Sequence, residues 1–175
     1  MGRVRALAGV VVLFTVATAC GEGTSGAATA RRVNESQVEL QLSLDAKQGW
    51  PRLTVGKTTC PSSVTARQGA TFQCTVEIEG QPTVFDVTIS ELLGSQAQYD
   101  FRPRQAIIDL STVSDFVRSR LDDHWRSATI DCGKSKVRFA DVGAAIDCTV
   151  FDGTTTRYIQ AVVEDRDGSV SLHEN

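Results

Sequence analysis

Cysteine is the residue type whose spacing in this 175-residue chain says most about chemistry. Cys20 directly follows an apolar N-terminal run, and four further cysteines form two pairs: Cys60 with Cys74, and Cys132 with Cys148. A cysteine behind an apolar leader is a candidate for lipid attachment, and paired cysteines in an exported chain are candidates for disulfides. A thiol redox centre would instead be expected to contain Cys-x-x-Cys, which the sequence lacks. The cysteines therefore predict anchoring and cross-linking.

Residues 1–19 have the layout of a secretory signal peptide, because two arginines precede an uncharged, mostly apolar run from Ala6 to Ala19. This run is too short to span a bilayer as a stable helix. The sequence Thr18-Ala19-Cys20-Gly21 resembles the bacterial lipobox, in which the cysteine is diacylated on sulfur and becomes the new N-terminus. Ala17 stands where the lipobox usually has leucine.

Two interpretations of Cys20 stay open at this point. An ordinary signal peptide would leave it as an unpaired thiol, which is a liability in an oxidising compartment. Lipidation would attach two or three acyl chains such as palmitate, and several chains hold a protein at a membrane where one does not. We expect lipidation of Cys20, and hence a protein anchored on the extracytoplasmic face of the cell membrane.

Residues 20–32 are rich in glycine, alanine and threonine and predict a flexible tether. The leader carries two arginines and no acidic residue, so the rest of the chain has 16 Lys and Arg against 21 Asp and Glu, a net charge of −5. This mildly acidic balance argues against nucleic acid as a partner. About 155 residues suffice for one domain or for two small ones, and small domains commonly need disulfides.

Two segments that each contain a cysteine are similar in sequence. Gly69 to Val76 and Gly143 to Val150 share Gly, Ala, Cys, Thr and Val at identical spacing. Four cysteines allow three pairings, but this repeat favours one disulfide within each copy, Cys60 with Cys74 and Cys132 with Cys148. Each closed loop of this size is expected to stabilise its copy by about 3 kcal/mol.

The repeated segments predict antiparallel strands. Apolar and polar residues alternate from Ala70 to Ile78 and again from Ala144 to Val150, which is typical of a half-buried strand. Gly80 and the Asp152-Gly153 pair then predict hairpin turns, and Asp167-Gly168 predicts one more. Each copy is therefore expected to end in a meander.

A helix is expected before the first cysteine of each copy. Asn34 is a candidate cap for the first, whose apolar face would be Val38, Leu42 and Ala46, although alternation with Leu40 and Leu44 also fits a strand. Asp109 or Ser111 is the candidate cap of the second, with apolar residues at helical spacing: Leu110, Val113, Phe116, Val117 and Leu121. We therefore predict an α+β fold of two tandem domains, residues 33–103 and 104–175. Each would pack one helix on a three- to four-stranded antiparallel sheet with one internal disulfide.

The first copy resembles a known family. Val55, the pair Cys60-Pro61 and the segment Gly69-Ala-x-Phe-x-Cys74-x-Val76 are similar to the domain of unknown function family 4333, found in actinobacterial lipoproteins and membrane proteins. The resemblance covers Asn34 to Phe101. The second copy departs from it, with Gly133 in place of proline, and is interpreted as a diverged repeat. The resemblance implies location and fold, because no catalytic or ligand-binding residue is established for the family.

Residue types that carry catalysis or bind metals are sparse. His124 and His173 are the two histidines, and neither has a second histidine or a free cysteine at metal-ligand spacing. No nucleophile elbow or phosphate-binding loop occurs. Asp165, Asp167 and Glu174 fit a calcium loop in part, but Val163 stands at its first ligand position, so a hairpin turn is the preferred interpretation. We expect no catalytic residues, no metal and no cofactor.

A non-enzymatic binding module therefore fits the sequence best, with another cell-envelope protein as partner and the membrane engaged through the lipid anchor. The binding residues are unknown at this stage. Four aromatic residues are candidates for a binding surface, although packing in the core or at its edge is the commoner fate of such side chains: Trp50, Tyr99, Trp125 and Tyr158. The alternative function is a carrier that holds a small lipid or glycan between helix and sheet, which would require a sizeable apolar cavity.

Overall fold

The structure, a computed structural model, describes residues 31–94 and 96–174. The predictions for residues 1–30, namely the signal peptide, the lipidation of Cys20 and most of the tether, lie outside the described residues. The helices and strands are, in chain order, α1 (Glu35–Gly49), β1 (Val55–Thr59), β2 (Thr71–Ile78), β3 (Gln81–Leu93), β4 (Gln96–Pro103), β5 (Ala106–Asp109), α2 (Leu110–Arg120), a 3₁₀ turn (Asp123–Trp125), β6 (Thr129–Asp131), β7 (Val137–Ala140), β8 (Ala145–Phe151), β9 (Thr156–Val163) and β10 (Val170–Glu174).

The N-terminal half, residues 31–103, packs α1 on an antiparallel sheet of order β1-β2-β3-β4. The Asn34 side chain caps α1 by accepting a hydrogen bond from the Gln37 N–H at 3.3 Å. The helix buries Val38, Leu42 and Ala46 completely, which confirms the predicted face. Helical periodicity thus prevails over strand alternation, and it leaves Leu40 and Leu44 exposed.

The C-terminal half, residues 104–174, packs α2 on an antiparallel sheet of order β10-β9-β8-β6. Asp109 is the cap of α2, and its side chain accepts hydrogen bonds from the N–H groups of Ser111 and Thr112. Val113 and Val117 are buried in a core that also contains the cysteines of this half. The described part of the chain is therefore a mixed α+β fold built from antiparallel sheets.

A two-stranded ribbon of β5 and β7, which was not among the predicted elements, lies between the halves. Its two faces serve different cores. Ile107 and Val137 pack in the core of the N-terminal half, whereas Ala106, Ile108 and Ala140 pack in the core of the C-terminal half. The ribbon is buried on both faces, so the two halves share an element.

Backbone pairing begins before α1, inside the segment predicted as a tether. Arg32 forms a bridge with Thr65, and the N–H of Ala66 donates to the carbonyl of Arg31 at 2.7 Å. These two residues therefore belong to the folded structure. No helix among residues 31–94 and 96–174 is both long and apolar enough to cross a membrane.

Candidate binding cleft at the junction of the two halves

The four paired cysteines form two disulfides, Cys60–Cys74 and Cys132–Cys148. Each disulfide ties the residue after an edge strand to the central strand beside it, β1 to β2 and β6 to β8. All four cysteines are buried. Because the sulfur atoms lie in the two cores, the disulfides act as internal staples and do not form an accessible redox site.

An open cleft of about 440 Å³ lies where the two halves meet. One wall is the end of α1 and the residues after it, and the other is α2 with the turn between β9 and β10. The side chains that line it are mainly apolar, with a few charged groups: Trp50, Pro51, Arg52, Ile107, Ile108, Asp109, Thr112, Val113, Phe116, Asp167 and Val170. A concave apolar surface with a few polar groups is typical of ligand and peptide sites.

Trp50 is fixed in this cleft by contacts with both halves. It is the C-terminal cap of α1, and its backbone N–H donates to the carbonyl of Ala46 at 3.0 Å. The indole ring meets Phe85 edge to face, with ring centroids 6.1 Å apart. The indole N–H donates to the carbonyl of Ile107 in the ribbon at 2.9 Å. Trp50 is therefore a rigid aromatic wall, positioned before any ligand arrives.

Charged side chains also pair across the junction of the two halves. Arg52 pairs with Asp115 of α2 at 2.7 Å, and this partner holds the pKa of the guanidinium above its usual value. Lys136 lies 3.8 Å from Glu79, so a second ion pair crosses the junction. Arg52, Asp115 and Lys136 are largely exposed, whereas Glu79 is half-buried. An ion pair between exposed side chains, such as Arg52–Asp115, contributes little to stability. Both pairs add to the contacts that join the two halves.

Asp109 occupies the cleft wall as the cap of α2. Burial would raise the pKa of its carboxyl, but hydrogen bonds from Ser111 and Thr112 outweigh burial and hold the pKa below its usual value. The carboxylate is therefore ionised at neutral pH and committed to the helix terminus. Asp109 is a poor general base, because its carboxylate oxygens already accept the capping hydrogen bonds and its pKa is lowered.

The turn between β9 and β10 closes one end of the cleft. It requires glycine where its backbone comes closest to Ile107 of the ribbon. Gly168 has φ +91°, and a Cβ atom there would lie 3.0 Å from the carbonyl oxygen of Ile107. The turn is held by Asp165, whose side chain accepts from the Ser169 N–H at 3.0 Å. Hydrogen bonds from Ser169 are the main reason why the pKa of Asp165 lies below its usual value.

These contacts bear on the calcium-loop interpretation. The side chain of Asp165 accepts a hydrogen bond within the turn between β9 and β10, in agreement with the hairpin-turn interpretation that was preferred to a calcium loop. Residues 31–94 and 96–174 contain no group of three or more His, Cys, Asp or Glu side chains placed to hold a metal ion.

A second groove of about 500 Å³ continues from the cleft between α2 and β10. Phe116 and Val170 line both depressions, so the two form one apolar surface along the helix. Leu121, Ile159 and Leu172 complete the apolar lining of the groove, and Arg120 lies at its side. The guanidinium of Arg120 is 5.2 Å from the centre of the Phe116 ring.

Neither histidine lines the cleft or the groove, although His173 lies beside Ser171, which does line the groove. His124 stacks on Trp125 with ring centroids 5.1 Å apart. His173 lies with its Nε2 3.3 Å from the Ser171 Oγ, and the Ser171 hydroxyl donates to Glu164. In a catalytic triad the histidine stands between the serine and the acid, whereas here the serine stands between the other two. The group does not have the geometry of a serine hydrolase.

Of the four aromatic candidates, the structure places only Trp50 in the cleft. Trp125 is buried, with Arg157 over its ring at 4.6 Å, and Tyr99 stacks with Phe101 at 6.2 Å. Tyr158 is exposed on β9. Trp125 and Tyr99 therefore pack within the fold, which was expected as the commoner fate of such side chains, and Tyr158 stands at the surface away from the cleft.

The ribbon residues in the cleft were not identified from the sequence. The run Ala106-Ile107-Ile108 offered a signal, because consecutive apolar residues at strand length are typical of a strand buried on both faces. The position of Arg52 offered none, since its partner Asp115 lies 63 residues away along the chain.

Comparisons with known proteins support part of this picture. Residues 13–94 match the model of a family described as a domain of unknown function, DUF4333. The matched region is slightly less than half of the chain and ends before the C-terminal half begins. A search of curated proteins found no match, and a search of solved structures found none either. Over residues 13–94 the chain is therefore similar to the DUF4333 family.

Proposed function

We propose that this chain is a membrane-anchored cell-envelope lipoprotein that acts by binding another envelope protein and carries out no catalysis. The observation that carries the proposal is the apolar cleft at the junction, whose walls come from both halves and are already in contact. Rigid aromatic walls favour binding because little conformational entropy is lost when a partner is engaged. The anchor rests on the signal-like leader and on Cys20 within Thr18-Ala19-Cys20-Gly21.

Within this proposal the two halves are tandem copies of one domain, residues 33–103 and 104–175, with the second diverged. The turns before the cysteine strands support duplication. Gly69 and Gly143 both have positive φ, and their N–H groups donate to the carbonyls of Ile89 and Val163 at 2.8 and 2.7 Å. The distance along the chain from each glycine to its cysteine is also the same.

A cross-strand pair gives further support. Gln73 donates to Asp86 at 3.2 Å in the first half, and Gln160 donates to Asp147 at 3.0 Å in the second. Both pairs join the residue before the second cysteine of the half to the strand opposite. The amide and the carboxylate have exchanged strands, so the contact is kept while the sequence differs. Such an exchange conceals the correspondence of these two positions, though not the repeat itself, from direct sequence comparison.

Photo-crosslinking in the native envelope tests the binding function. A photoreactive amino acid is placed at Thr112, which lines the cleft, and at Thr156, an exposed strand residue that serves as the control. We expect one envelope protein to be captured from the Thr112 position and not from Thr156, as identified by mass spectrometry. If neither position yields a product above background, the chain does not act through this cleft.

The alternative function, a carrier of a small lipid or glycan, is favoured by the volume of the two depressions. About 440 and 500 Å³ lie in the range that binds small molecules. Both are open, however, and in the N-terminal half the helix face of Val38, Leu42 and Ala46 is fully packed against the sheet. A carrier would be expected to enclose its cargo more completely.

Titration with a fluorescent fatty acid distinguishes the two functions. A carrier binds the probe tightly and loses binding when Phe116→Arg places a charge in the groove. A protein-binding module shows no saturable binding of the probe, and its crosslink at Thr112 persists when fatty acid is added in excess.

A further inference from the structure

The outer strand β10 is less protected than the other edges of the two four-stranded sheets. Strand β1 has a register shift and carries Lys57, β4 carries Arg102 and ends at Pro103, and β6 has three residues. Natural proteins use such features to keep edge strands from pairing with other chains. Strand β10 pairs with β9 over five residues without a register shift.

The free edge of β10 presents backbone groups in regular order. The Glu164 N–H donates to the Ser169 carbonyl at 2.8 Å, so the backbone groups of Ser169 point toward β9. Because every second residue of an antiparallel strand bonds to the same neighbour, the backbone groups of Ser171 and His173 also point toward β9. The N–H and carbonyl groups of Val170 and Leu172 therefore point outward. Within residues 31–94 and 96–174, no strand pairs with that side.

The groove beside this edge is open because its strand carries smaller side chains than the corresponding strand of the other half. In the N-terminal sheet, Tyr99 and Phe101 of β4 stand opposite Ile89 and Val87. The matching positions of β10 carry Val170 and Leu172, opposite Val163 and Ala161. Two aromatic rings are thus replaced by aliphatic side chains, and the space becomes part of the groove.

One charged group on the groove points to the chemistry of the occupant. Arg120 lies over Phe116, and none of the ion pairs among the described residues includes it. A carboxylate on the occupant would complement this cation. The backbone edge selects a polypeptide over a lipid, because only a polypeptide offers a matching ladder of donors and acceptors.

We infer that β10 and the groove beside it bind an extended peptide of a partner protein, which adds to the sheet as a fifth strand. Alternate apolar side chains of the peptide enter the groove between α2 and β10, and an acidic side chain pairs with Arg120. The inference rests on the proposed function, since it names the site and the partner class of the same binding activity.

The test uses the full-length chain in detergent micelles and a set of synthetic octapeptides. Each peptide begins with glutamate and alternates threonine with valine, leucine or phenylalanine. We expect at least one peptide to bind below about 1 mM, with nuclear magnetic resonance shifts concentrated in β10 and α2. Methylating alternate backbone nitrogens removes the donors that face the edge and is expected to weaken binding about tenfold or more.

Charge exchange provides the matched controls. Arg120→Glu is expected to weaken binding about two- to fivefold, and a peptide that begins with lysine is expected to recover the loss. Arg102→Glu makes the same charge change on the edge strand β4 and is expected to leave binding unchanged.

Several results would overturn the inference. These are no binding by any peptide at about 1 mM, equal binding of the methylated peptides, or shifts confined to other elements. Saturable binding of a fluorescent fatty acid in the groove, or dimerisation of the free chain through β10, would assign the surface to another occupant. If the peptides fail while the Thr112 crosslink still captures an envelope protein, this inference falls and the proposed binding function stands.

Discussion

Trp50 shows how a single side chain can set the geometry of a site made by two halves of a chain. Its ring packs on Phe85 of the N-terminal sheet, while its N–H reaches the carbonyl of Ile107 in the ribbon. A buried carbonyl without a hydrogen-bond partner is costly, so this contact favours one position of the halves over others. The cleft is therefore preformed by ordinary packing and hydrogen bonding.

Gly168 makes a second close contact across the cleft, and its replacement provides a prediction. Gly168→Ala is expected to destabilise the chain by about 1–3 kcal/mol, because alanine is strained at positive φ and its Cβ would press on the Ile107 carbonyl. Gly153→Ala is the matched control, since Gly153 has φ +103° and open space around it. Denaturant unfolding of both variants measures the difference. Equal losses would show that the close approach has no energetic effect.

Asp109 gives a prediction for pH. Its pKa is lowered in the folded state, so its stabilising effect is present above the unfolded value of about 3.9 and is lost as the pH falls through the folded pKa. Asp109→Asn keeps an oxygen that can cap α2 and is expected to flatten the fall in unfolding free energy between about pH 5 and pH 2. Asp109→Ala removes the cap as well and should cost about 1 kcal/mol at neutral pH. If the unfolding free energy of Asp109→Asn falls with pH as steeply as that of the unaltered chain, Asp109 is not a source of the pH dependence.

Among the secondary-structure elements, the β5–β7 ribbon decides how the halves are arranged. Successive residues of β5 point to opposite faces, so Ile107 enters one core and Ile108 the other. Loss of either side chain therefore disturbs a different half. The ribbon acts as a common wall and not as a linker.

Two alanine substitutions test whether the two faces of β5 support different halves. Ile107→Ala and Ile108→Ala are each expected to cost about 2–5 kcal/mol, as for other buried large-to-small changes. Hydrogen exchange should speed up mainly in α1 and β3 for Ile107→Ala, and mainly in α2 and β8 for Ile108→Ala. Leu44→Ala, on the exposed face of α1, is the control and should change stability by less than about 0.5 kcal/mol. Identical exchange patterns in the two ribbon variants would contradict the two-sided role.

The helices were more predictable than the ribbon for a physical reason. The cap at Asn34 and the spacing of Val38, Leu42 and Ala46 are local properties, and a helix depends on local hydrogen bonds. The ribbon pairs Ile107 with Phe139, 32 residues apart, and both of its strands have only four residues, of which those of β5 do not alternate. The cleft was hidden for the same reason, because it exists only once the halves have docked.

At the scale of the whole molecule, the described residues form a largely apolar surface that runs from Trp50 to Leu172 across both halves. A lipid anchor at Cys20 would hold this surface near the membrane, at the end of a short glycine- and threonine-rich tether. A net charge of −5 beyond residue 19 would keep the body away from anionic headgroups, so the anchor would be the main membrane contact.

Cys20→Ser tests the anchor. The variant should move from the membrane fraction to the soluble fraction after cell lysis, because serine offers no sulfur for acylation and the loss of several acyl chains removes most of the membrane affinity. Ser25→Ala, in the same tether, is the control and should stay with the membrane. Continued membrane partitioning of Cys20→Ser would refute lipidation.

The central claim is that the chain consists of two repeats, each closed by its own disulfide and joined through a shared ribbon. Peptide mapping of the non-reduced protein by mass spectrometry tests this claim most directly. The account predicts cross-linked peptides that contain Cys60 with Cys74 and Cys132 with Cys148. A disulfide between a cysteine of residues 31–103 and one of residues 104–174 would contradict it.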